Sequence, residues 1–187
     1  PLRILTVMSS ASGAIEIPKT LTLAQTWAAV EPVLEASLVQ PNYRPSAKEF
    51  VYAYAHVYTF CTQRRTEEEI AQDIIGGAKL YERLQSWLGS KTDGIQAELK
   101  PLSGNPLLKA YTGQWDKYET LAKLIGDLFI YLNRYWVKHQ VEKDQNLETL
   151  YQMSLSVWYK QVFEPVKPAL EQALFNEFKR LRAGLIP

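Results

Sequence analysis

The sequence predicts an all-α fold, because helix-start patterns recur along the chain and no segment of useful length alternates as strands do. Three segments have the form of a capping box, in which a Ser or Thr and the third following Gln or Glu satisfy N–H groups reciprocally. They are Thr22–Gln25, Ser46–Glu49 and Thr66–Glu69. A long apolar pattern at spacings of three and four residues runs from Tyr111 to Trp136. These observations predict an elongated helical bundle with one long central helix.

We predict an N-terminal arm over residues 1–20 and a helical domain over residues 21–187. The arm carries a short apolar patch followed by serines and a glycine, and we expect it to be extended. Six helices are predicted near residues 23–38, 47–63, 67–88, 106–139, 147–163 and 168–182. The chain begins with Pro rather than Met, so we expect it to be a fragment of a longer protein.

Proline and glycine set most of the predicted boundaries. Pro32 should kink or restart the first helix, since proline removes a backbone donor and clashes with the preceding turn. Gly76 and Gly77 should bend the third helix, which is expected to end over residues 89–94, with a further piece of helix possible at 94–99. Asn146 is expected to start the fifth helix. Pro165 is expected to end it and Pro168 to start the last helix.

The fourth helix has apolar residues on two faces. Asn105 should cap it, with Pro106 at its first position. One seam comprises Tyr111, Trp115, Tyr118, Ala122, Ile125, Phe129, Leu132 and Trp136, and the other comprises Leu121, Leu124, Leu128, Tyr131 and Tyr135. A helix of roughly 33 residues is about 50 Å long, which exceeds the core of a compact globule. The helix must therefore lie between neighbouring helices, or one of its apolar faces must be available to a partner protein.

The second helix has more aromatic side chains than one buried stripe requires. Five residues fall at helical spacing on one side, and four more cover the remaining sides: Phe50, Tyr54, Val57, Tyr58 and Cys61, then Val51, Tyr52, His56 and Phe60. The whole chain has 5 Trp, 11 Tyr and 6 Phe, and we asked whether all of them can be core. Trp115, Phe129 and Trp136 are predicted to be core.

Composition and motifs argue against several functions. With 21 Lys+Arg against 20 Asp+Glu, the chain lacks the basic excess of an electrostatically driven nucleic-acid binder. No apolar run reaches the ~18 residues that span a bilayer. The single cysteine, Cys61, excludes an internal disulfide and fits a reducing compartment. His56 and His139 are isolated, and no phosphate-loop, dinucleotide or hydrolase motif occurs. We expect an intracellular protein that is not an enzyme and needs neither cofactor nor metal.

Several segments, taken in order, resemble the N-terminal region of the cullin family. The most specific is Tyr131–Val137 (YLNRYWV), which is similar to the YLNR-x-WV stretch of the cullin in the adaptor–cullin–F-box (SCF) ubiquitin ligases. The other matching segments are Ala55–Thr62, Leu80–Leu84, Leu108–Tyr118, Trp158, Phe163–Pro165 and Arg182–Ile186. The resemblance covers residues 21–187, the first of three five-helix cullin repeats. Residues 1–20 match nothing in it, and the short stretch Gln63–Arg65 replaces a long low-complexity insert.

The resemblance implies a scaffold located in the cytoplasm and nucleus. A BTB/POZ-fold adaptor, carrying an F-box-type substrate receptor, would dock on the second helix and the long helix. The matching contact positions are Phe50, Val51, Tyr54, Tyr58, Tyr131, Arg134 and Tyr135. The RING protein would bind C-terminal regions that this chain lacks, so the chain itself would transfer no ubiquitin.

Two other functions stay open at the level of sequence. The two-seamed long helix is also typical of a structural helical rod, such as a vesicle-tethering subunit, which would self-associate or bind other rods. A short cullin-like decoy would sequester adaptors from a full-length cullin. The match at Asn133, Arg134 and Trp136 favours an SCF-type adaptor over BTB or elongin-type adaptors.

Overall fold

A computed structural model describes residues 17–40, 42–63, 76–141 and 147–184, and these residues are helical apart from short connections, with no strand among them. Two π-helical segments, Leu132–Val137 and Tyr159–Phe163, accompany the α-helices. The α-helices are α1 (Leu23–Val39), α2 (Ala47–Thr62), α3 (Gly76–Leu99), α4 (Gly104–Leu128), α5 (Lys138–Val141), α6 (Leu150–Trp158) and α7 (Glu164–Arg182). The predicted all-α class is confirmed. Most of the predicted arm lies outside the described residues.

Capping boxes start three of the helices. Thr22 and Gln25 form the predicted box on α1, and Ser46 and Glu49 form the predicted box on α2. Thr149 forms a third box, with Gln152, which the sequence analysis missed. The expected start at Asn146 and the box at Thr66 lie outside the described residues.

The N-terminal end of α4 differs from the prediction. The helix begins at Gly104 after Ser103, so Asn105 does not cap it. Pro106 therefore lies in the first turn, where its missing N–H has no intrahelical partner to lose.

The long predicted helix changes its hydrogen-bonding pattern part-way. The regular α-helix ends at Leu128, and Phe129 has backbone angles of φ −100° and ψ 20°. A π-helical segment then runs from Leu132 to Val137 and leads into α5. The chain stays helical where the long helix was predicted. The side chains after Phe129, however, point in directions that differ from those on a regular α-helix.

The end of α3 predicted from glycine is wrong. α3 continues through Gly89 and Gly94 to Leu99, because buried Thr92, Ile95 and Leu99 outweigh a cost of about 1 kcal/mol per glycine. Gly76 and Gly77 open the described part of α3; the residues predicted to precede them lie outside the described residues, so the bend expected there stays a prediction.

The expected break between the last two helices is also absent. The π-helical segment Tyr159–Phe163 joins α6 directly to α7, and Pro165 lies in the first turn of α7, where the missing donor is tolerated. Pro168 lies inside α7, and Pro32 lies inside α1 without restarting it.

The two apolar seams of the long helix differ in how deeply they are buried. The first seam is core along its middle, with Tyr118, Ile125 and Phe129 inaccessible to solvent. Tyr111, Trp115 and Trp136 are half-buried and pack against that core, so of the three predicted core aromatics only Phe129 is fully buried. The second seam is buried at its first three positions, Leu121, Leu124 and Leu128. It then leaves the core, since Tyr131 is half-buried and Tyr135 is exposed. α4 packs against α1, α6 and α7, so neighbours enclose it along most of its length.

The side chain of Gln63, which follows α2, holds Leu21 in place before α1. Gln63 Oε1 accepts a hydrogen bond from the Leu21 N–H at 2.6 Å, and Gln63 Nε2 donates to the Leu21 carbonyl at 2.8 Å. A pair of hydrogen bonds from one amide satisfies both backbone groups of Leu21.

Tyr118→Phe is expected to destabilise the fold by about 1 kcal/mol. The Tyr118 hydroxyl is fully buried and donates to the Ser154 carbonyl at 2.7 Å, which ties α4 to α6. Urea unfolding followed by circular dichroism measures the change. Tyr151→Phe, at an exposed position of α6, is the matched control and should change stability by less than about 0.5 kcal/mol. Equal stabilities for the two variants would contradict a role for the buried hydroxyl.

Candidate docking surface

Five aromatic side chains form a continuous row across α2 and the long helix. Phe50, Tyr54 and Tyr58 lie four residues apart and therefore on one face of α2. Their neighbouring rings stack with centroids 6.3 Å apart in both pairs. The row crosses to the long helix where Tyr58 meets Tyr131 edge-on at 4.9 Å, and it ends with Tyr131 and Tyr135 at 4.4 Å. We call these five residues the aromatic row.

The aromatic row is partly exposed and rests on the core. Tyr58 is 45% exposed and Tyr135 is 58% exposed, whereas Phe50, Tyr54 and Tyr131 are half-buried. Ala53 and Val57 lie on the buried side of the same helix. Exposed apolar rings in one contiguous patch are typical of a protein interaction site.

The other two predicted contact residues lie beside the row. Val51 follows Phe50 on α2 and is half-buried, and Arg134 precedes Tyr135 and is exposed. All seven predicted contact positions therefore lie on α2 or on the helical run around the π-helical segment. Their role as contacts stays a prediction.

The hydroxyls of the four tyrosines in the aromatic row form no hydrogen bond with another described residue. Desolvation, followed by the neighbouring Tyr58 and Tyr135 phenols, raises the pKa of Tyr54 above its ordinary value. Desolvation likewise raises the pKa of Tyr131, with Tyr58 the next contribution. The Tyr54 and Tyr131 hydroxyls therefore stay neutral and can donate hydrogen bonds at physiological pH.

Contacts on the opposite side hold the π-helical segment Leu132–Val137 in place. Trp136 packs against Gly77 of α3, where an added Cβ would lie 2.5 Å from Trp136 Cγ. The Trp136 ring also lies 5.6 Å from that of Tyr81. Asn133 Oδ1 accepts from the Leu150 N–H at 3.3 Å, which ties the segment to the start of α6. With Trp136 and Asn133 fixed inside, Arg134 and Tyr135 point to solvent.

The described residues hold no group of acidic, histidine or cysteine side chains that could bind a metal ion. His56 is buried, and its Nδ1 donates to the Tyr52 carbonyl at 2.8 Å, so a structural role accounts for it. The side chain of His139 lies outside the described residues. None of the described helices is long and apolar enough to cross a membrane.

Comparison with known proteins places this geometry in a family. The cullin alpha solenoid domain matches residues 27–186, which includes the whole aromatic row. The chain belongs to the cullin family. This confirms the resemblance seen in the sequence, and with it a helical scaffold.

Individual cullins match most of the chain at low identity. Cullin-1 of Caenorhabditis elegans is 24% identical over 84% of this chain and 22% of its own length. Cell division control protein 53 of Saccharomyces cerevisiae is 23% identical over 91% of this chain and 23% of its own length. Cullin-1 of Schizosaccharomyces pombe is 33% identical over 72% of this chain and 18% of its own length. The chain thus spans about a fifth of the length of the curated relatives that it matches.

Two supporting residues of this cullin were missed as parts of the site. Gly77 was interpreted only as a helix-bending residue, whereas it is the position against which Trp136 packs. Asn133 was used as a family motif residue but not as the acceptor for Leu150. Spacing within one helix does not reveal either contact, because both partners come from distant parts of the chain.

Cys61 is expected to react slowly with thiol reagents while this cullin is folded. Burial raises the pKa of the Cys61 thiol to about 12. The reactive thiolate is thereby depleted by roughly a thousandfold relative to a free cysteine at pH 8. Reaction with a chromogenic disulfide, followed with and without urea, measures the effect. A folded-state rate equal to that in urea would contradict the burial of the thiol.

Proposed function

We propose that this chain is the adaptor-binding N-terminal part of a cullin scaffold in a multisubunit RING-type E3 ubiquitin ligase. It docks a BTB/POZ-fold adaptor of the SCF type together with an F-box-type substrate receptor. The observation that carries the proposal is the aromatic row, since its five rings form one surface from two distant segments. Those are the segments that the cullin resemblance assigns to adaptor contact.

The chemistry of the aromatic row suits a protein partner. Tyr and Phe bury a large area while few side-chain rotations are lost, and such residues are frequent binding hot spots. The core beneath the row already holds Phe50, Tyr54 and Tyr131 half-buried, which lowers the entropy lost on binding. Arg134 supplies a polar contact at the rim. The near-zero net charge is consistent with recognition by shape and apolar anchors.

The scaffold's other contacts belong to regions outside this chain. The RING protein binds through C-terminal cullin regions, so this chain binds the adaptor and transfers no ubiquitin by itself. We propose that it acts in the cytoplasm and nucleus, without a cofactor.

Gel filtration of the whole chain with a recombinant SCF-type adaptor bound to an F-box protein tests the proposal. We expect a stable complex at micromolar concentration. A BTB-type adaptor and an elongin-type adaptor, tested in parallel, should elute separately from the chain. Separate elution of all three adaptors would refute the proposal, and selective co-elution with either alternative would reassign the adaptor class.

The structural-rod alternative loses most of its basis in the fold. It was motivated by the two apolar seams of the long helix, and the second of these is buried within the chain itself at Leu121, Leu124 and Leu128. Only Tyr131 and Tyr135 of that seam remain accessible, and both belong to the aromatic row. The decoy alternative uses the same surface, and it would apply if the native transcript encodes no further cullin repeats.

A further inference from the structure

A second group of aromatic side chains surrounds a pocket near the other end of the long helix. The pocket has a volume of about 340 Å³, within the range of small-ligand sites. α4 contributes two of its lining residues, and the run from α6 through the second π-helical segment contributes four: Tyr111, Trp115, Leu155, Trp158, Tyr159 and Phe163. Five of these six are aromatic. We call them the aromatic pocket.

The aromatic pocket is built from fixed rings. Trp158 is buried, and its Nε1–H donates to the Tyr111 hydroxyl at 3.1 Å, which fixes both rings across the two helices. The Trp158 ring centroid lies 5.3 Å from that of Trp115. The Tyr159 and Phe163 ring centroids lie 5.6 Å apart, and that of Phe163 lies 6.4 Å from that of Tyr111.

The π-helical segment Tyr159–Phe163 shapes this wall. Its Gln161 accepts a hydrogen bond from Thr92 of α3, so the segment is tied to the neighbouring helix between its two aromatic ends. π-Helical turns are rare and occur often at functional sites, because the widened turn redirects side chains. Here the redirected side chains are those of Tyr159 and Phe163.

The charge around the aromatic pocket favours a cation. None of the described residues that line it is a lysine or an arginine. Glu164 follows Phe163 at the start of α7 and does not line the pocket. Lys160 lies on the π-helical segment Tyr159–Phe163 and does not line the pocket either. Aromatic faces carry negative charge density that attracts cations, most strongly for Trp.

The scarcity of hydrogen-bonding groups selects the kind of cation. An unmodified ammonium group is strongly hydrated and would lose its water without replacement acceptors. An alkylated ammonium group holds water weakly and needs no hydrogen bonds. We propose that the aromatic pocket binds an alkylated ammonium group, such as the head of a trimethylated lysine side chain on another protein.

The aromatic pocket is separate from the aromatic row. Trp115 and Tyr131 are 16 positions apart on one helical run, or about 24 Å at 1.5 Å per residue. The proposal therefore does not depend on adaptor docking, and the two surfaces can be tested on the same chain.

Nuclear magnetic resonance titration of the whole chain tests the site. The indole N–H signal of Trp158 reports on the pocket directly because that group bonds Tyr111. Choline and its neutral isostere 3,3-dimethylbutanol are compared at constant ionic strength, and we expect choline to bind about threefold to thirtyfold more tightly. Equal binding of the two would show a merely apolar pocket, and no binding of either would also overturn the proposal.

Peptides then distinguish the sources of the cation. A trimethyllysine peptide should shift the Trp158 signal, whereas the same peptide with unmodified lysine should not. Binding of choline without any response to the trimethyllysine peptide would overturn the assignment to a protein side chain and indicate a free or lipid headgroup.

Two variants at an exposed ring complete the test. Tyr159 is 49% exposed, so its replacement should leave the fold intact, as circular dichroism can confirm. Tyr159→Leu should weaken choline binding about threefold or more, whereas Tyr159→Phe keeps the ring and should retain most of the affinity. Unchanged binding by Tyr159→Leu would contradict the proposed wall of the pocket. Both variants should still bind the adaptor.

Discussion

Tyr54→Lys is expected to abolish binding of the SCF-type adaptor to this chain. Tyr54 is the middle ring on α2, stacked between Phe50 and Tyr58. A lysine there removes a central aromatic anchor and places a charge where the partner would exclude water. Truncating a central hot-spot residue costs about 2–4 kcal/mol, and a buried unpaired charge adds to this. Isothermal titration calorimetry should show an affinity at least about thirtyfold weaker.

The same helix offers a matched control on its opposite side. Tyr52 is also partly exposed, and it lies two residues from Tyr54, so the two side chains point in nearly opposite directions. The Tyr52 ring contacts His56 at 4.3 Å and takes no part in the aromatic row. Tyr52→Lys introduces the same charge into the same helix and should leave the affinity within about threefold of the original value.

Comparison of the two variants separates binding from folding. Both should keep the helical circular dichroism and the urea midpoint of the original chain within a narrow range. Unfolding of Tyr54→Lys alone would mean that Tyr54 is a core residue rather than a contact. Equal loss of affinity in both variants would mean that the adaptor does not select the aromatic row.

The sequence predicted the parts of this molecule that depend on neighbours along the chain. The capping boxes at Thr22 and Ser46, and the first seam of the long helix, follow from local hydrogen bonding and from a repeat of 3.6 residues. The shared face of Phe50, Tyr54 and Tyr58 follows from the same repeat. That α2 meets the long helix at Tyr58 and Tyr131 was implied only by the family resemblance, since no local rule joins segments so far apart.

The wrong helix boundaries have two physical causes. Gly89 and Gly94 were interpreted as helix ends because each lowers local helix propensity, yet the burial of residues around them outweighed that cost. Pro165 was interpreted as a helix end as well, but it lies in the first turn of α7, where a missing donor is tolerated. No local sequence pattern predicted the two π-helical segments. Each is held by contacts to a distant helix, through Trp136 and Gly77 in one case and through Gln161 and Thr92 in the other.

The contact between Trp136 and Gly77 leads to the second large expected effect. Gly77→Ala should destabilise the fold by about 1–3 kcal/mol, the usual range for an overpacked core. The added Cβ would lie 2.5 Å from Trp136 Cγ and 2.8 Å from two further ring atoms, which is far inside normal contact. The ring cannot move freely, because Tyr81 lies against it and Val137 beside it is fully buried. Urea unfolding measures the loss.

Gly94→Ala is the matched control, because it makes the same change in the same helix. An added Cβ at Gly94 would meet nothing within 4 Å, and the position is exposed. Alanine is a better helix former than glycine by about 1 kcal/mol, so Gly94→Ala should stabilise the chain by up to that amount. The two substitutions should therefore shift the unfolding midpoint in opposite directions. A shift in the same direction for both would mean that Trp136 does not pack against Gly77.

The same pair of variants also connects the core to the proposed docking surface. Trp136 holds the π-helical segment from inside, while Arg134 and Tyr135 lie on its outer side. If the ring is displaced, the segment must shift, and Tyr135 can no longer keep its place 4.4 Å from Tyr131. Gly77→Ala should thus weaken adaptor binding in calorimetry under conditions where the chain is still folded, whereas Gly94→Ala should not. Full affinity in a folded Gly77→Ala variant would show that the aromatic row does not depend on this support.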